Sequence, residues 1–333
     1  MEVKSLMING IEDVVIIEET IDEKNLKPQE CFIENYYSHI SPGTELSRVY
    51  GLKPNATYPF RPGYCSVGKI LAKGEELAGF KVGDFVLYSG SHSNYHVFDY
   101  LKSDGGILYK IPQDLPLEKA VCLTMCWIAM NGILRADVKV SDTVAIFGLG
   151  ILGSVLSILY HQAGVKVIGV DPVESRAKGL PLDYYINSLD KPEKEVMKLT
   201  KGTGVDIAVD AAGKSAAICS AIMSTRTYGQ VILLGSPREG LSMDITPVLN
   251  TIHMKMLTVK GSLNRLFPLT QPEGSITNKT ESLNYLSDLI KKGIIDTDKF
   301  ISHIIKPEDA LSAYRGLMHD KEHYIGVIID WKS

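Results

Sequence analysis

The sequence predicts an α/β chain: a doubly wound parallel sheet with a β-rich region ahead of it. Three observations carry this. From Asp142 to Asp171 a strand, a glycine turn, a helix and a second strand ending on an acid follow one another. Short strands and helices then go on alternating as far as Gly261, the pattern of a mostly parallel sheet covered on both faces. Before residue 110, short β-rich runs broken by Gly and Pro dominate instead.

The Asp142–Asp171 stretch organises the rest. Thr143-Val144-Ala145-Ile146-Phe147 is an apolar, β-branched run. Gly148-Leu149-Gly150-Ile151-Leu152-Gly153 follows at once, then a helix-like segment from Ser154 to Gln162 closed by Gly164. A second apolar run, Val165 to Val170, ends on Asp171, 23 residues after Gly148. A dinucleotide-binding unit has this order and a length of about 30 residues. In such a unit Gly148 lets the chain leave the strand through a tight turn. Gly150 lets the backbone approach a pyrophosphate, and Gly153 lets the helix pack closely. The helix N-terminus offers free N–H groups and a positive dipole to the phosphates. A carboxylate at Asp171 accepts both adenosine ribose hydroxyls and repels a 2′-phosphate, which favours NAD over NADP.

Around this unit the chain reads in order. Val14–Glu19 and Cys31–Asn35 are strands, and Tyr36–Ser47 is a loop in which Thr44-Glu45 start a short helix. Tyr58–Ile70 is a proline-rich turn entering a strand, and Phe80–Tyr88 is another turn and strand. Pro116–Arg135 changes to helical spacing. After Asp171 come a strand at Asp183–Ile186, a helix at Lys191–Thr200, and a strand at Val205–Asp210 ending on Ala211-Ala212-Gly213. A helix at Lys214–Ser224 and strands at Gly229–Gly235 and Met256–Gly261 complete the sheet. The tail holds helices at Thr280–Gly293 and Pro307–His319 and a closing strand at Tyr324–Asp330.

A net charge of −4 and a pI near 6.1 argue against nucleic acid or an anionic membrane as partner. The five cysteines are few, odd in number and without metal-motif spacing, which fits a reducing cytoplasm. The first residues have no basic region followed by an apolar core, and no run of about 18 apolar residues occurs, so neither a signal peptide nor a membrane span is expected.

Several ordered landmarks resemble the medium-chain dehydrogenases/reductases, the alcohol dehydrogenase superfamily. They are Gly43-Thr44-Glu45, Pro62-Gly63-Tyr64 with Val67-Gly68, Val82-Gly83-Asp84, Gly148 to Gly153, Val205 to Gly213, Gly229 to Gly235 and the helix–strand tail. The Ser41–Glu45 loop, the Tyr58–Tyr64 segment and the Ile328–Lys332 tail are most similar to the bacteriochlorophyllide a dehydrogenase branch. The resemblance implies a GroES-like catalytic domain of residues 1–126 and 264–333, a Rossmann domain of residues 127–263 inserted in it, and an active site in the cleft between them. It also implies a homodimer or homotetramer paired through the edge of the nucleotide sheet near Lys260. On the cofactor side it places Gly148, Gly150, Ile151, Leu152 and Gly153 at the pyrophosphate and Asp171, Pro172 and Arg176 at the adenosine end. Thr44, Ala211, Ala212, Leu234, Gly235, Ser236, Leu263 and Asn264 fall towards the nicotinamide.

The departures from the family shape the expected chemistry. Zinc-dependent members supply three protein ligands to a catalytic metal. Here the first is replaced by Ser41 or Pro42, the second by Tyr64, and the acid after it by Cys65; Cys126 alone keeps its place. The cysteine lobe is absent from Leu87–Lys110. No catalytic or structural zinc is therefore expected. Without a Lewis acid, hydrogen-bond donors must manage the charge on the substrate oxygen. Tyr64 and Thr44 are the first candidates, and His39 and His92, placed on loops near the cleft, come after them. The expected activity is hydride transfer between NAD and a secondary alcohol of a sugar, cyclitol or similar small molecule. The alternatives are a quinone- or enoyl-type NAD(P)H reductase and a non-catalytic dinucleotide sensor.

Overall fold

The computed structural model describes residues 1–23, 25–53, 56–100, 106–189, 191–264 and 278–333. The chain divides into two compact units, one of Met1–Trp127 with Arg265–Ser333 and the other of Ile128–Asn264.

In the first unit β1 (Glu2–Gly10) and β2 (Asp13–Thr20) form an antiparallel hairpin. β3 (Glu30–Ile40) is the spine of a second sheet. It is followed by α1 (Thr44–Val49), β4 (Ser66–Lys73), β5 (Phe85–Tyr88), β6 (Tyr95–Asp99) and β7 (Leu108–Lys110). β3 runs five residues beyond the strand expected from sequence, taking in Tyr36–Ile40, which reads as a loop because four of its five residues are polar or aromatic. Those residues are paired on one side by β4 and on the other by a strand from the far end of the chain, so alternation is lost.

α2 (Leu117–Ala120) and α3 (Leu123–Leu134) carry the chain into the second unit. Leu117–Leu134 is apolar and long enough to cross a membrane by composition, but two helices share it and it is mostly buried, as in a core element.

The second unit holds β8 (Thr143–Phe147), α4 (Ile151–Gln162), β9 (Lys166–Asp171), β10 (Tyr184–Asn187), α5 (Pro192–Leu199), β11 (Val205–Asp210), α6 (Ser215–Ser224), β12 (Thr225–Leu233), α7 (Thr246–Met254) and β13 (Thr258–Gly261). Its six strands are all parallel in the order β10-β9-β8-β11-β12-β13. The chain builds outward from β8 to one edge, returns to β11, and builds to the other. Strand order therefore reverses between β8 and β11, the place where open α/β sheets bind ligands. One face is covered by apolar residues of α5, α6 and α7, among them Val196, Ala221, Ile222 and Val248. α7 is absent from the sequence reading because Val248 is its one buried residue, with Ile252 half-buried beside it, so its apolar face is narrow.

The tail returns to the first unit with α8 (Lys279–Lys291), β14 (His303–Ile305), α9 (Ala310–His319) and β15 (Val327–Asp330). β15 lies antiparallel against β3, with Ile328 opposite His39 and Ile329 opposite Ser38. The sheet order is β14-β15-β3-β4-β5-β7, with β6 also pairing β3. Ala310, Ala313, Tyr314 and Leu317 of α9 pack with Leu6, Ile8, Leu46 and Val49 in a core drawn from both chain ends.

Candidate functional site

A candidate nucleotide site lies in the second unit, where β8 opens into the glycine turn. Gly148 has φ +100°, a left-handed conformation that a side chain would strain. A Cβ on Gly153 would meet the Gly148 carbonyl oxygen at 1.8 Å, so this position must be glycine for the turn to close. Gly150 differs: nothing lies within 4 Å of a Cβ built there. It stands at the N-cap of α4 with no side-chain cap, leaving an open cradle of N–H groups suited to a pyrophosphate. The residues present thus fit a dinucleotide.

Asp171 ends β9, as the sequence indicates, but is 2% exposed and already engaged. Oδ2 accepts the Leu149 N–H at 2.7 Å and Oδ1 the Val173 N–H at 2.8 Å. The acid staples the glycine turn to the strand end, and each oxygen keeps a lone pair for a ribose hydroxyl. Arg176 Nη1 stands 3.7 Å from Oδ2, and Pro172 between them is exposed.

Across the switch point, Ala211 and Ala212 follow β11 beside the turn; a Cβ on Gly148 would come within 3.0 Å of Ala212. Their turn is held by Asp210, which sequence reasoning passed over. Its carboxylate accepts from Ala212 N and Gly213 N at 3.1 Å. Burial raises its pKa to about 6, against those N–H groups and the Arg238 guanidinium. Arg238 in turn donates to Ala212 O at 2.7 Å. The Leu234 side chain is buried, with Cδ2 3.3 Å from where a Gly132 Cβ would stand, and buried Gly235 and exposed Ser236 follow it. Leu263 is 52% exposed and Asn264 half-buried.

A cluster of hydroxyls lies in the first unit. Tyr64 is half-buried, and its O–H donates to Ser41 Oγ at 2.7 Å, with Thr44 Oγ1 at 3.5 Å. Burial pushes the Tyr64 phenol well above its ordinary range, helped by the neighbouring Cys65 and opposed by the two hydroxyls. Thr44 opens α1 and is exposed; Gly43 rather than Thr44 is the N-cap. Ser47 donates to Thr44 O at 2.8 Å. Gly63 fixes Tyr64 from behind, because a Cβ there would stand 2.6 Å from His92 N.

The two histidines depart from the sequence reading. His39 is not on a loop but in β3, fully buried, and neither ring nitrogen has a hydrogen-bond partner. Burial pushes its pKa down to about 4, against the pull of Glu45. His92 is on a loop but equally buried, with Nδ1 2.7 Å from Ser38 Oγ and Nε2 2.9 Å from Glu45 Oε2. Both its ring nitrogens are engaged by side chains of the protein. Its partners are Ser38 and Glu45, which in turn bond Trp331 and Tyr314; none of these carries a local motif, and sequence reasoning missed the network.

The donor set does not fit a zinc ion. At the family's ligand positions stand the Ser41–Tyr64 hydroxyl pair and two thiols. Burial, with Glu45 nearby, raises Cys65 well above its ordinary range, and burial raises Cys126 to about 12. Among the described residues no group of three or more His, Cys, Asp or Glu is arranged to hold a metal. A separate hollow of about 360 Å³ beside Asp84, Lys110 and Pro112 contains none of the candidate catalytic residues.

Comparison with known proteins adds four findings. Residues 152–273 match the family described as zinc-binding dehydrogenase. D-guloside 3-dehydrogenase of Escherichia coli is 32% identical over 178 residues, which cover 52% of this chain and 50% of that enzyme; the match spans half the relative's length. (R,R)-butanediol dehydrogenase of Bacillus subtilis is 22% identical, over 83% of this chain and 82% of that enzyme. In fold, galactitol-1-phosphate dehydrogenase from Escherichia coli superposes with a TM-score of 0.83 at 18% identity, covering 98% of this chain and 99% of that one.

Proposed function

We propose that the chain is a member of the medium-chain dehydrogenase/reductase superfamily, the zinc-type alcohol dehydrogenases, and that it is an NAD-dependent oxidoreductase that works without zinc. Its substrate is a secondary alcohol, or the matching ketone, on a sugar, cyclitol or other hydroxylated small molecule. The observation that carries this reading is the Tyr64–Ser41 hydroxyl pair, at positions where the superfamily has metal ligands, with Thr44 beside it.

A bound NAD would supply the hydride acceptor for the carbinol carbon. The protein's part is to hold that carbon and to manage the oxygen. The raised phenol of Tyr64 stays protonated at neutral pH, which suits it to donate a hydrogen bond to a developing alkoxide or a polarised carbonyl. Hydroxyls rotate freely between donor and acceptor roles, so Ser41 can give its proton to Tyr64 as Tyr64 turns to the substrate. Exposed Thr44 offers a second donor. Preference for NAD is supported by the Asp171 carboxylate at the end of β9. A sugar-type substrate is supported by the resemblance to D-guloside 3-dehydrogenase.

We extend the proposal to assembly and location. A homodimer or homotetramer paired through β13 is supported by that strand's place at the sheet edge and by exposed Leu249, Met254, Met256 and Val259. A cytoplasmic location is supported by five cysteines that are all free thiols. A small molecule, and neither nucleic acid nor membrane, is the partner that the acidic balance supports.

The test is turnover of a polyol and cyclitol panel with NAD, with quinones and enones as comparison and metal content measured on the same preparation. Tyr64→Phe should lower kcat by about 100-fold or more. Stoichiometric zinc whose removal abolishes turnover, or a Tyr64→Phe enzyme within about threefold of wild type, would reject the reading.

A further inference from the structure

Glu45 lies in the first turn of α1 and is 3% exposed. A buried carboxylate is costly unless donors fill its lone pairs, and here three do. Oε1 accepts the Ser41 N–H at 2.7 Å. Oε2 meets His92 Nε2 at 2.9 Å and accepts the Tyr314 O–H at 2.6 Å. Burial alone would raise this carboxyl; the His92, Tyr314 and Ser41 contacts outweigh it and hold the pKa below the usual range.

The network continues behind His92. Trp331 Nε1 donates to Ser38 Oγ at 2.8 Å, and that oxygen stands 2.7 Å from His92 Nδ1. An indole N–H can only donate, so the Ser38 proton is available to His92 Nδ1, and His92 carries its own proton on Nε2, towards Glu45. Every donor then points one way, from the C-terminal tail through an imidazole onto one carboxylate.

On the other side of Glu45 stands the hydroxyl cluster. Ser41 gives its N–H to Glu45 and receives the Tyr64 O–H on its Oγ. Thr44, the second neighbour of the Tyr64 hydroxyl, is the residue immediately before Glu45. Both groups that orient Tyr64 are therefore fixed in place at Glu45.

We propose that Glu45 is a positioning residue that aims the Tyr64 hydroxyl, itself held by His92 and Tyr314 and, through Ser38, by Trp331. The proposal rests on the reading above in which Tyr64 meets the substrate oxygen. Tail residues more than 260 positions away along the chain thus set the geometry of the reacting group.

The test places 3-fluorotyrosine at position 64 and follows its fluorine resonance by NMR, alongside kcat, the KM for NAD and the melting temperature. Glu45→Gln keeps an acceptor for Ser41 but turns an amide NH₂ towards two donors. Tyr314→Phe removes one donor and leaves the carboxylate, and it carries the test if Glu45→Gln does not fold. Either variant should move the position-64 resonance and lower kcat by about tenfold or more, as expected for a misaligned reacting group. The KM for NAD should change less than about threefold, since NAD is held in the other unit. Asp114→Asn, in an exposed ion pair with Lys291, should change neither. A fall in melting temperature with resonance and kcat at wild-type values would overturn the proposal and leave Glu45 a purely structural residue. The fluorine signal needs no turnover. If it moves while Tyr64→Phe retains full activity, the functional reading fails and the positioning stands.

Discussion

The glycine turn after β8 and the hydroxyl cluster around Tyr64 hold their shape by opposite means. The turn does it with backbone. Its parts lie within 24 residues, and bare glycine positions create the cradle. The hydroxyl cluster does it with side chains gathered from β3, α1, the loops at 64 and 92, and α9 and the tail. Backbone devices are local and so leave a local pattern. Side-chain networks are assembled by the fold and leave almost none.

The sharpest way to break this comparison lies within the turn itself. Gly153→Ala places a Cβ into the Gly148 carbonyl and should destabilise the protein by about 3 kcal/mol or more, the upper range of overpacking. Gly150→Ala meets nothing. It should leave stability within about 0.5 kcal/mol of wild type while weakening NADH binding. Chemical denaturation and NADH titration of both variants check this. Equal stability losses would mean that the two glycines are not doing different jobs.

The Asp210 turn offers a second test, through pH. Its folded pKa of about 6 lies above the 3.8 usual for an aspartate, so the folded protein holds that proton more tightly than the unfolded chain. The stability it contributes is full below pH 4 and is lost as pH rises through 6. Asp210→Asn keeps an acceptor for Ala212 and Gly213 but cannot titrate. The stability of wild type relative to this variant should fall by on the order of 1–3 kcal/mol between pH 4 and pH 7. A flat difference would show that the carboxyl is not perturbed.

The smallest expected effect sharpens the role of Asp171. Asp171→Ser should narrow the preference for NADH over NADPH by more than about tenfold, the loss of a charged ribose partner. Because Asp171 also holds Leu149 and Val173, stability should fall by about 1–2 kcal/mol as well. A fall in stability with an unchanged cofactor ratio would leave the acid a backbone staple only.

These contrasts explain what the sequence could disclose. The parallel sheet, the glycine turn and the acid at 171 were legible because each depends on neighbours a few residues away. Tyr64 was legible because it occupies a position where the superfamily has another residue. The extension of β3 through His39 was not, since its partner β15 lies nearly 300 residues on. α7 was hidden by its exposure, and Asp210 by looking like the end of any strand. The engagement of His92 could not be read at all: a histidine on a loop becomes a buried link only when Glu45 and Ser38 are brought to it.

The placement of β15 has a consequence for how the molecule is made. This strand sits between β14 and β3, so the sheet begun by the earliest residues stays open until the latest ones arrive. The inserted unit carries its six strands in one continuous stretch and can close while the tail is still being synthesised. Long loop closures slow folding, so the β-rich unit should be the late step in vivo, with the unpaired edge of β3 as the surface that chaperones must guard in the interval.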